Sequence, residues 1–337
     1  MKKTIIIGGG VSGLAAAFRL FESGNEFVLL EAGDRLGGII QTIRREGFLL
    51  ETGPDAFLSE KPEAVRLARR LGIESELLGT RDENRRAFLV YENSLRPVPE
   101  GFQLIAPSNL DAFFNSDILS PRGKVRLANE RFLLPEAEKE DESLADFVRR
   151  RFGQEALERI AQPMIGGIYT ADPEKLSLRA TQPRFLELEQ KYGSVINGLL
   201  KLQSENRNRK PETEGSGARY SLFLSFQNGM ETLTNALSAK LPPNSLKLST
   251  KAESLSFSET NRLWKVETNT GIFEAETVIL ALPAHISARL LSSQFPALAE
   301  KLNSIEHASS ATVNLAFRRD HIEHPLDGFG FLVPFFE

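Results

Sequence analysis

The sequence predicts an α/β fold organised around a strand, a turn and a helix at its N-terminus. The first observation is the β-branched run over residues 4–7, which is typical of a buried parallel strand. The second is a set of three glycines that follows with the spacing G-x-G-x-x-G, namely Gly8, Gly10 and Gly13. The third is the apolar stretch over residues 14–20, which predicts a helix. This order of elements is typical of the start of a parallel sheet.

In this spacing each glycine has a separate physical role. Gly8 allows the tight turn from strand to helix, Gly10 lets the backbone approach a pyrophosphate, and Gly13 lets the helix pack close to the sheet. The N–H groups at the helix start, together with the helix dipole, favour a bound phosphate. We therefore predict that the turn contacts a dinucleotide through these residues: Gly8, Gly9, Gly10, Val11, Ser12 and Gly13.

A second strand extends the pattern to a Rossmann-like βαβ unit. Gly24 ends the helix, and the apolar run over residues 27–30 is followed at once by Glu31. An acidic residue at the tip of this strand is where an adenosine ribose presents its hydroxyl groups. The alternative is a glycine-rich turn followed by an incidental surface glutamate. The complete unit favours a dinucleotide site with Glu31 at the ribose.

The segment after the second strand resembles the second signature of the flavin amine oxidase superfamily. It reads Glu31-Ala-Gly-Asp-Arg35-Leu-Gly37-Gly38-Ile-Ile-Gln-Thr42. That superfamily includes monoamine oxidases, phytoene desaturases and protoporphyrinogen oxidases, and the resemblance implies FAD as the cofactor. It places Ala32, Arg35, Gly37 and Gly38 along the cofactor. The Arg35 guanidinium can donate two hydrogen bonds to phosphate oxygens, and the backbone of the glycine pair can lie close to the flat flavin ring. The alternative role for Arg35 is a surface salt bridge.

The resemblance to the superfamily continues in two further segments that imply cofactor contacts. Residues 47–57 match it and add Gly53, Pro54, Asp55 and Ala56. The run Val278-Ile-Leu280-Ala-Leu-Pro283 resembles the strand that leads the chain back to the flavin. In relatives the adenine is bonded by backbone groups of a residue, usually Val, that aligns with Ala252. Backbone bonding tolerates alanine there, although some apolar contact with the base is lost.

One segment resembles protoporphyrinogen oxidases in particular. It begins Ala161-Gln-Pro163-Met-Ile-Gly-Gly167-Ile-Tyr169 and continues to Leu178. In that family the glycine at the position of Gly167 lies beside the bound tetrapyrrole, whereas the alternative is a loop glycine needed for its backbone dihedrals. The resemblance implies FAD-dependent oxidation of protoporphyrinogen IX or coproporphyrinogen III to the porphyrin in haem biosynthesis, with oxygen as the acceptor.

The resemblance also implies how the chain divides into domains. A discontinuous Rossmann-like FAD-binding domain, residues 1–75 and 220–290, is expected to carry an inserted α+β substrate domain. The inserted domain is predicted over residues 76–219, with a polar surface loop over 203–219, and further substrate-domain strands over 311–317 and 328–333 within residues 291–337. Members of the family continue with a glycine-rich segment that caps the flavin, and we expect that C-terminal segment to be absent here.

Composition excludes several classes of function. The chain has no cysteine, which excludes disulfides, thiol nucleophiles and thiolate metal sites, and its net charge of −4 gives no footprint of nucleic-acid binding. It has no apolar run of about 18 residues, the length of a membrane-spanning helix. The N-terminus leads directly into a strand without a signal peptide, so we expect a cytoplasmic protein.

The sequence leaves two questions about partners open. The apolar set over residues 102–119, followed by Arg122, Lys124 and Arg126, fits a peripheral contact with the inner face of the membrane or a helical cap over the substrate. An enzyme of the haem pathway is a compatible partner.

We predict no catalytic side chain, since the flavin supplies the difficult chemistry, and no metal site, since His321 and His324 lack further ligands. The alternatives are another amine oxidase or carotenoid desaturase, and an inactive, truncated flavin-binding fragment.

Overall fold

The computed structural model describes residues 3–59, 61–81, 84, 86–136, 141–208 and 223–337. These residues form two compact units. The first unit contains the described residues up to Thr80, those from Phe223 to His307, and Ala311–Ala316; the second contains the described residues from Arg81 to 208, Ala308–Ser310 and Phe317–Glu337. The predicted assignment of domains stays a prediction, and the first unit extends to His307 where the sequence places a boundary at residue 290.

The described residues contain α-helices in both units. They are α1 (Val11–Glu22), α2 (Glu63–Leu71), α3 (Leu110–Asn115), α4 (Pro121–Ala128), α5 (Leu144–Arg151), α6 (Gln154–Ala156), α7 (Gln162–Tyr169), α8 (Leu178–Thr181), α9 (Pro183–Tyr192), α10 (Val195–Asn208), α11 (Glu231–Lys240), α12 (Ala284–Leu291) and α13 (Pro296–Asn303). A π-helical turn, Leu157–Ala161, joins α6 to α7.

The strands of the described residues are short and belong to six sheets. They are β1 (Thr4–Ile7), β2 (Phe27–Leu30), β3 (Thr42–Arg45), β4 (Phe48–Glu51), β5 (Phe57–Leu58), β6 (Leu77–Gly79), β7 (Arg86–Tyr91), β8 (Ser94–Pro97), β9 (Phe102–Gln103), β10 (Ala106–Pro107), β11 (Phe223–Phe226), β12 (Leu246–Lys247), β13 (Ala252–Ser258), β14 (Leu263–Thr268), β15 (Gly271–Ala275), β16 (Thr277–Leu280) and β17 (Gly328–Leu332).

A four-stranded parallel sheet with the order β12-β2-β1-β16 forms the centre of the first unit. Ile6 packs with α1 and α11 on one face, whereas Ile5 and Ile7 pack with β13, β14 and α12 on the other. Because both faces are covered, β1 is buried along its whole length and carries β-branched residues without polar alternation. The α/β prediction is confirmed.

Other sheets of the first unit are antiparallel. Strands β13, β14 and β15 form one of them, with a hairpin turn between Thr268 and Gly271. Trp264 on β14 lies against Phe257 and Phe295, at ring-centroid distances of 5.1 and 5.8 Å. Strands β5, β11 and β6 form a second sheet, and β3 pairs with β4 in a hairpin. The β13-β14-β15 sheet covers one face of the parallel sheet through Leu255, Val266 and Ala275.

The second unit has a mainly helical core and a three-stranded sheet with the order β17-β7-β8. A buried ionic network crosses that core: Arg151, 1% exposed, donates from Nε to Glu130, 0% exposed, at 2.9 Å. Glu130 also accepts the Ser194 hydroxyl and the N–H groups of Val195 and Ile196 at the start of α10. Each buried charge in this network is therefore paired and hydrogen-bonded, as burial requires.

One predicted strand is wrong. Residues 328–333 contain β17, but residues 311–317 form no strand, and their apolar side chains Val313 and Leu315 are 73% and 72% exposed. Period-two alternation needs a hydrogen-bonded partner to make a strand, and the described residues place none beside this segment. In the predicted loop over 203–219, α10 continues to Asn208, and the rest lies outside the described residues. Within the described ranges no helix is long and apolar enough to cross a membrane.

Candidate functional site

The turn between β1 and α1 has the close contacts that its glycine spacing predicts. Gly8 adopts a φ of +110°, and a Cβ atom there would lie 2.5 Å from the carbonyl oxygen of Ala281. A Cβ atom on Gly13 would overlap the carbonyl oxygen of Gly8. The helix hydrogen bonds begin with the Leu14 N–H, which donates to the Gly10 carbonyl at 2.9 Å. A side chain at Gly13 would therefore push α1 away from the turn, and a side chain at Gly8 would clash with the chain that follows β16.

The start of α1 is suited to an anion. Gly10 is the N-cap residue and has no side chain to accept the first N–H groups of the helix, which have no intrahelical partner. The first turn, formed by Val11, Ser12 and Gly13, contains no acidic residue that would compete for those groups. The partial positive charge of the helix start is therefore available to phosphate oxygens.

A second glycine segment lies against this turn. The Gly37 N–H donates to the Gly9 carbonyl at 2.8 Å, and Gly10 and Gly37 form an isolated parallel bridge. A Cβ atom on Gly38 would lie 3.0 Å from the Cα atom of Gly10. The structure thus brings the two predicted glycine segments together into one narrow, side-chain-free surface.

Arg35 acts within its own loop. Its guanidinium donates to three backbone carbonyls, those of Leu36 at 3.2 Å, Ile40 at 3.2 Å and Gly38 at 2.5 Å. These bonds fix the curve that presents the glycine pair to the turn. The predicted contact of Arg35 with phosphate stays a prediction, and no pattern in the sequence indicates its bonds to these carbonyls.

Glu31 links the turn to the tip of β2. Its Oε2 atom accepts the Gly9 N–H at 2.6 Å, and its Oε1 atom accepts the Gly33 N–H at 2.7 Å. Ala32 lies exposed between the two bonded residues. The carboxylate is held beside the turn between β1 and α1, at the end of β2 where a ribose is expected.

The start of β13 lies next to this carboxylate. The Thr250 N–H donates to the Glu31 carbonyl at 2.8 Å, and the Ser249 N–H donates to the Gly33 carbonyl at 2.7 Å. Ala252, the first residue of β13, follows two positions later. The structure therefore brings Ala252 close to Glu31, although 221 positions separate them in the chain.

The segment that begins at Gly53 packs against the residues that directly follow the glycine pair. A Cβ atom on Gly53 would overlap the carbonyl oxygen of Ile39, and the Thr52 N–H donates to the Gln41 carbonyl at 3.0 Å. The chain then continues toward β5 through the remaining predicted residues of this segment, Pro54, Asp55 and Ala56.

A network around the start of α11 supports this segment, and sequence reasoning missed it. Glu51 accepts the Met230 N–H at 2.8 Å and the Thr42 hydroxyl at 2.9 Å. Thr42 in turn accepts the Glu231 N–H at 3.1 Å. Side chains about 180 positions away cap the start of α11. This capping depends on tertiary packing, so no local sequence pattern predicts it.

A cleft of about 420 Å³ lies within the second unit, between α7 and β17. Gly167 lies on its wall, and a Cβ atom there would lie 2.5 Å from Cδ2 of Leu332. The cleft is lined by Gln162, Pro163, Gly166, Gly167, Thr170, Ala171, Asp172, Phe331, Leu332, Val333 and Phe335.

The structure settles the alternative role of Gly167. This residue belongs to helix α7 and has an ordinary helical backbone, so it is no loop glycine chosen for its dihedrals. Its lack of a side chain instead admits Leu332 to the helix surface. Whether Gly167 also contacts a tetrapyrrole stays a prediction.

The fold and the N-terminal site define a dinucleotide-binding α/β protein. Two glycine segments, a helix start without acidic residues and a carboxylate at the tip of β2 meet at the carboxyl end of a parallel sheet. Added Cβ atoms would fill this surface, so its residues fit a pyrophosphate lying against the backbone.

The sequence profile described as "Flavin containing amine oxidoreductase" matches residues 11–335. The chain therefore belongs to this family. The match confirms the predicted resemblance, the FAD cofactor and the class of enzyme, a flavin-dependent oxidoreductase.

Several relatives carry more particular names. The chain is 33% identical over 340 residues to coproporphyrinogen III oxidase of Bacillus subtilis strain 168, covering 98% of this chain and 70% of that protein. It is 32% identical over 344 residues to chloroplastic protoporphyrinogen oxidase 1 of Spinacia oleracea, covering 97% and 59%. A crystal structure from Exiguobacterium sp. 255-15, provisionally assigned as a protoporphyrinogen oxidase, superposes with a TM-score of 0.73 at 29% identity, covering 88% and 63%.

Proposed function

We propose that this chain takes part in the FAD-dependent oxidation of a porphyrinogen to a porphyrin, with oxygen as the electron acceptor. The observation that carries the proposal is the joined glycine surface of Gly10, Gly37 and Gly38 in a chain whose relatives are named porphyrinogen oxidases. Coproporphyrinogen III and protoporphyrinogen IX are both substrates compatible with those names.

The residues of the first unit have separate tasks in this proposal. The N–H groups at the start of α1 bind the pyrophosphate, and the Glu31 carboxylate binds the ribose hydroxyls beside its bond to Gly9. Backbone groups of Ala252 bind the adenine. When bound, the flavin supplies the two-electron dehydrogenation chemistry, and the protein supplies binding and orientation.

The cleft of the second unit is the proposed place of the substrate macrocycle. Gly167 contributes no side chain to its wall, Leu332 packs against that glycine, and Phe331 and Phe335 add further apolar lining. A large, flat, mostly apolar molecule suits such a surface. The proposal includes a cytoplasmic location; contact with the membrane face or with a haem-pathway enzyme is compatible with it.

The test measures first the amount of bound FAD and then the rate of porphyrin formation. The full chain is supplied with FAD, freed of unbound flavin by gel filtration, and mixed with each of the two porphyrinogens in air. We expect stoichiometric flavin, porphyrin fluorescence that grows with one or both substrates, and matching oxygen consumption. Flavin-loaded protein that forms no porphyrin above the spontaneous rate would contradict the proposal, and flavin reduction by an amine would favour an amine oxidase instead.

The matched control is Gly10→Asp, which puts a negative charge against the pyrophosphate. This variant should retain no FAD and should give only the spontaneous rate of porphyrin formation. Full flavin occupancy in Gly10→Asp would place the cofactor elsewhere.

A further inference from the structure

Gln162 has a buried polar side chain with mainly apolar neighbours. It is the first residue of α7, directly after the π-helical turn, and it is only 8% exposed. It lines the cleft between α7 and β17, whose other residues near it, Pro163, Gly166 and Gly167, offer no side-chain polar group. A buried amide in such surroundings needs hydrogen-bond partners for both of its ends.

The orientation of this amide is fixed by the backbone. Its Oε1 atom accepts the N–H of Phe335 at 3.1 Å, across 173 positions of the chain. A backbone N–H can only donate, so the atom that faces it must be the oxygen. The NH₂ group therefore points away from Phe335.

The NH₂ group points into the cleft. A Cβ atom on Gly166, which forms the wall of the cleft, would lie 3.4 Å from Nε2 of Gln162. Among the described residues no acceptor is hydrogen-bonded to this Nε2 atom. The cleft thus holds a pre-oriented donor with two N–H bonds and an apolar surround.

We propose that Gln162 recognises a carboxylate of the bound tetrapyrrole by donating from Nε2. This inference rests on the proposed function, since it assigns a residue to the substrate named there. The side-chain carboxylates are the acceptor groups of such a macrocycle, whereas its pyrrole N–H groups are donors and cannot pair with another donor.

The charge around the cleft gives the macrocycle a direction. Asp172 also lines the cleft but is exposed, and its Oδ1 atom accepts the Glu174 N–H at 3.0 Å. A substrate carboxylate is repelled from Asp172 and attracted by the N–H donors of Gln162. One carboxylate of the macrocycle therefore lies at the buried, Gln162 end of the cleft.

The test compares Gln162→Glu with the wild-type chain in binding coproporphyrin III, followed by the shift of its absorbance band. The variant keeps the oxygen that accepts the Phe335 N–H, but it replaces the donor by a negatively charged acceptor. We expect affinity to fall about tenfold or more, the usual scale for a hydrogen bond to a charged group. For the tetramethyl ester of coproporphyrin III, which carries no carboxylate, we expect a change within about threefold.

Two further variants keep the result interpretable. Gln162→Met removes both the donor and the acceptor of the Phe335 N–H without adding charge, and it should weaken coproporphyrin III binding less than Gln162→Glu does. Gln227→Glu makes the same substitution at an exposed glutamine of the first unit and should bind like wild type. If both Gln162 variants bind coproporphyrin III within about twofold of wild type, the proposed role of Gln162 is overturned. If wild type binds no porphyrin, both this role and the proposed substrate are contradicted.

Discussion

Gly13 lies so close to Gly8 that a Cβ atom on Gly13 would overlap the Gly8 carbonyl oxygen. This contact sets the distance between α1 and the parallel sheet, and with it the position of the helix start where we propose that the pyrophosphate binds. Both atoms belong to rigid elements, so neither can give way cheaply.

We therefore expect Gly13→Ala to lose FAD and to lower the free energy of unfolding. Overpacking of this kind typically costs about 1–3 kcal/mol. Urea unfolding and flavin absorbance after gel filtration measure the two effects. Gly330→Ala is the matched control, since a Cβ atom on Gly330 would meet no atom. Retention of FAD by Gly13→Ala would show that α1 can shift without harm to the site.

Glu31 is expected to contribute to cofactor affinity. Replacing it by alanine removes the acceptor of the Gly9 and Gly33 N–H groups as well as the proposed ribose contact. We expect FAD binding to weaken by roughly 1.5–3 kcal/mol, the scale of a hydrogen bond to a charged group. Titration of the apoprotein with FAD measures this, with Glu26→Ala, at an exposed residue just before β2, as the control. Unchanged affinity would remove Glu31 from the site.

Gly167 and Leu332 should show energetic coupling. Gly167→Ala places a methyl group 2.5 Å from the present position of Leu332 Cδ2, so the leucine must move into the cleft. We expect weaker porphyrin binding by Gly167→Ala, and recovery when Leu332→Ala is added. A double-mutant cycle on stability should give a coupling of about 0.5–3 kcal/mol. Additive effects would mean that the two side chains relax independently.

The second unit should lose stability in acid through Glu189. Burial raises the pKa of this carboxyl, but hydrogen bonds and charge from Arg150, the Glu136 N–H and the charge of Arg151 outweigh burial and hold its pKa below the ordinary 4.5. Because the folded state favours the ionised form, this contribution is complete above about 4.5. It is lost as the pH falls below that value through the lowered pKa of the folded state.

The measurement is thermal unfolding as a function of pH. Glu189→Gln should be less stable than wild type near neutral pH, and the difference should shrink as the pH falls below about 4.5. Glu187→Gln, an exposed change on the same helix, should follow the wild-type curve. A constant difference between Glu189→Gln and wild type at every pH would exclude this linkage.

Much of the first unit could be predicted from the sequence because its signals are local. The β-branched run at residues 4–7, the glycine spacing and the acidic residue at 31 specify strand, turn, helix and strand within a single βαβ unit. In the second unit, a short-range contact of the same kind begins α5, where the Ser143 hydroxyl accepts the Asp146 N–H at 3.0 Å. In each case the residues that carry the pattern are the residues that make the contact.

Only the tertiary structure decided which partner each polar group found. The sequence suggests a phosphate or a salt bridge for Arg35, yet its guanidinium donates to carbonyls of its own loop. It predicts a strand over residues 311–317, where no partner strand is placed. It gives no sign that Gln162 meets the backbone of Phe335. Local patterns fix which conformations a segment prefers, whereas pairing of donors and acceptors depends on segments brought together from distant parts of the chain.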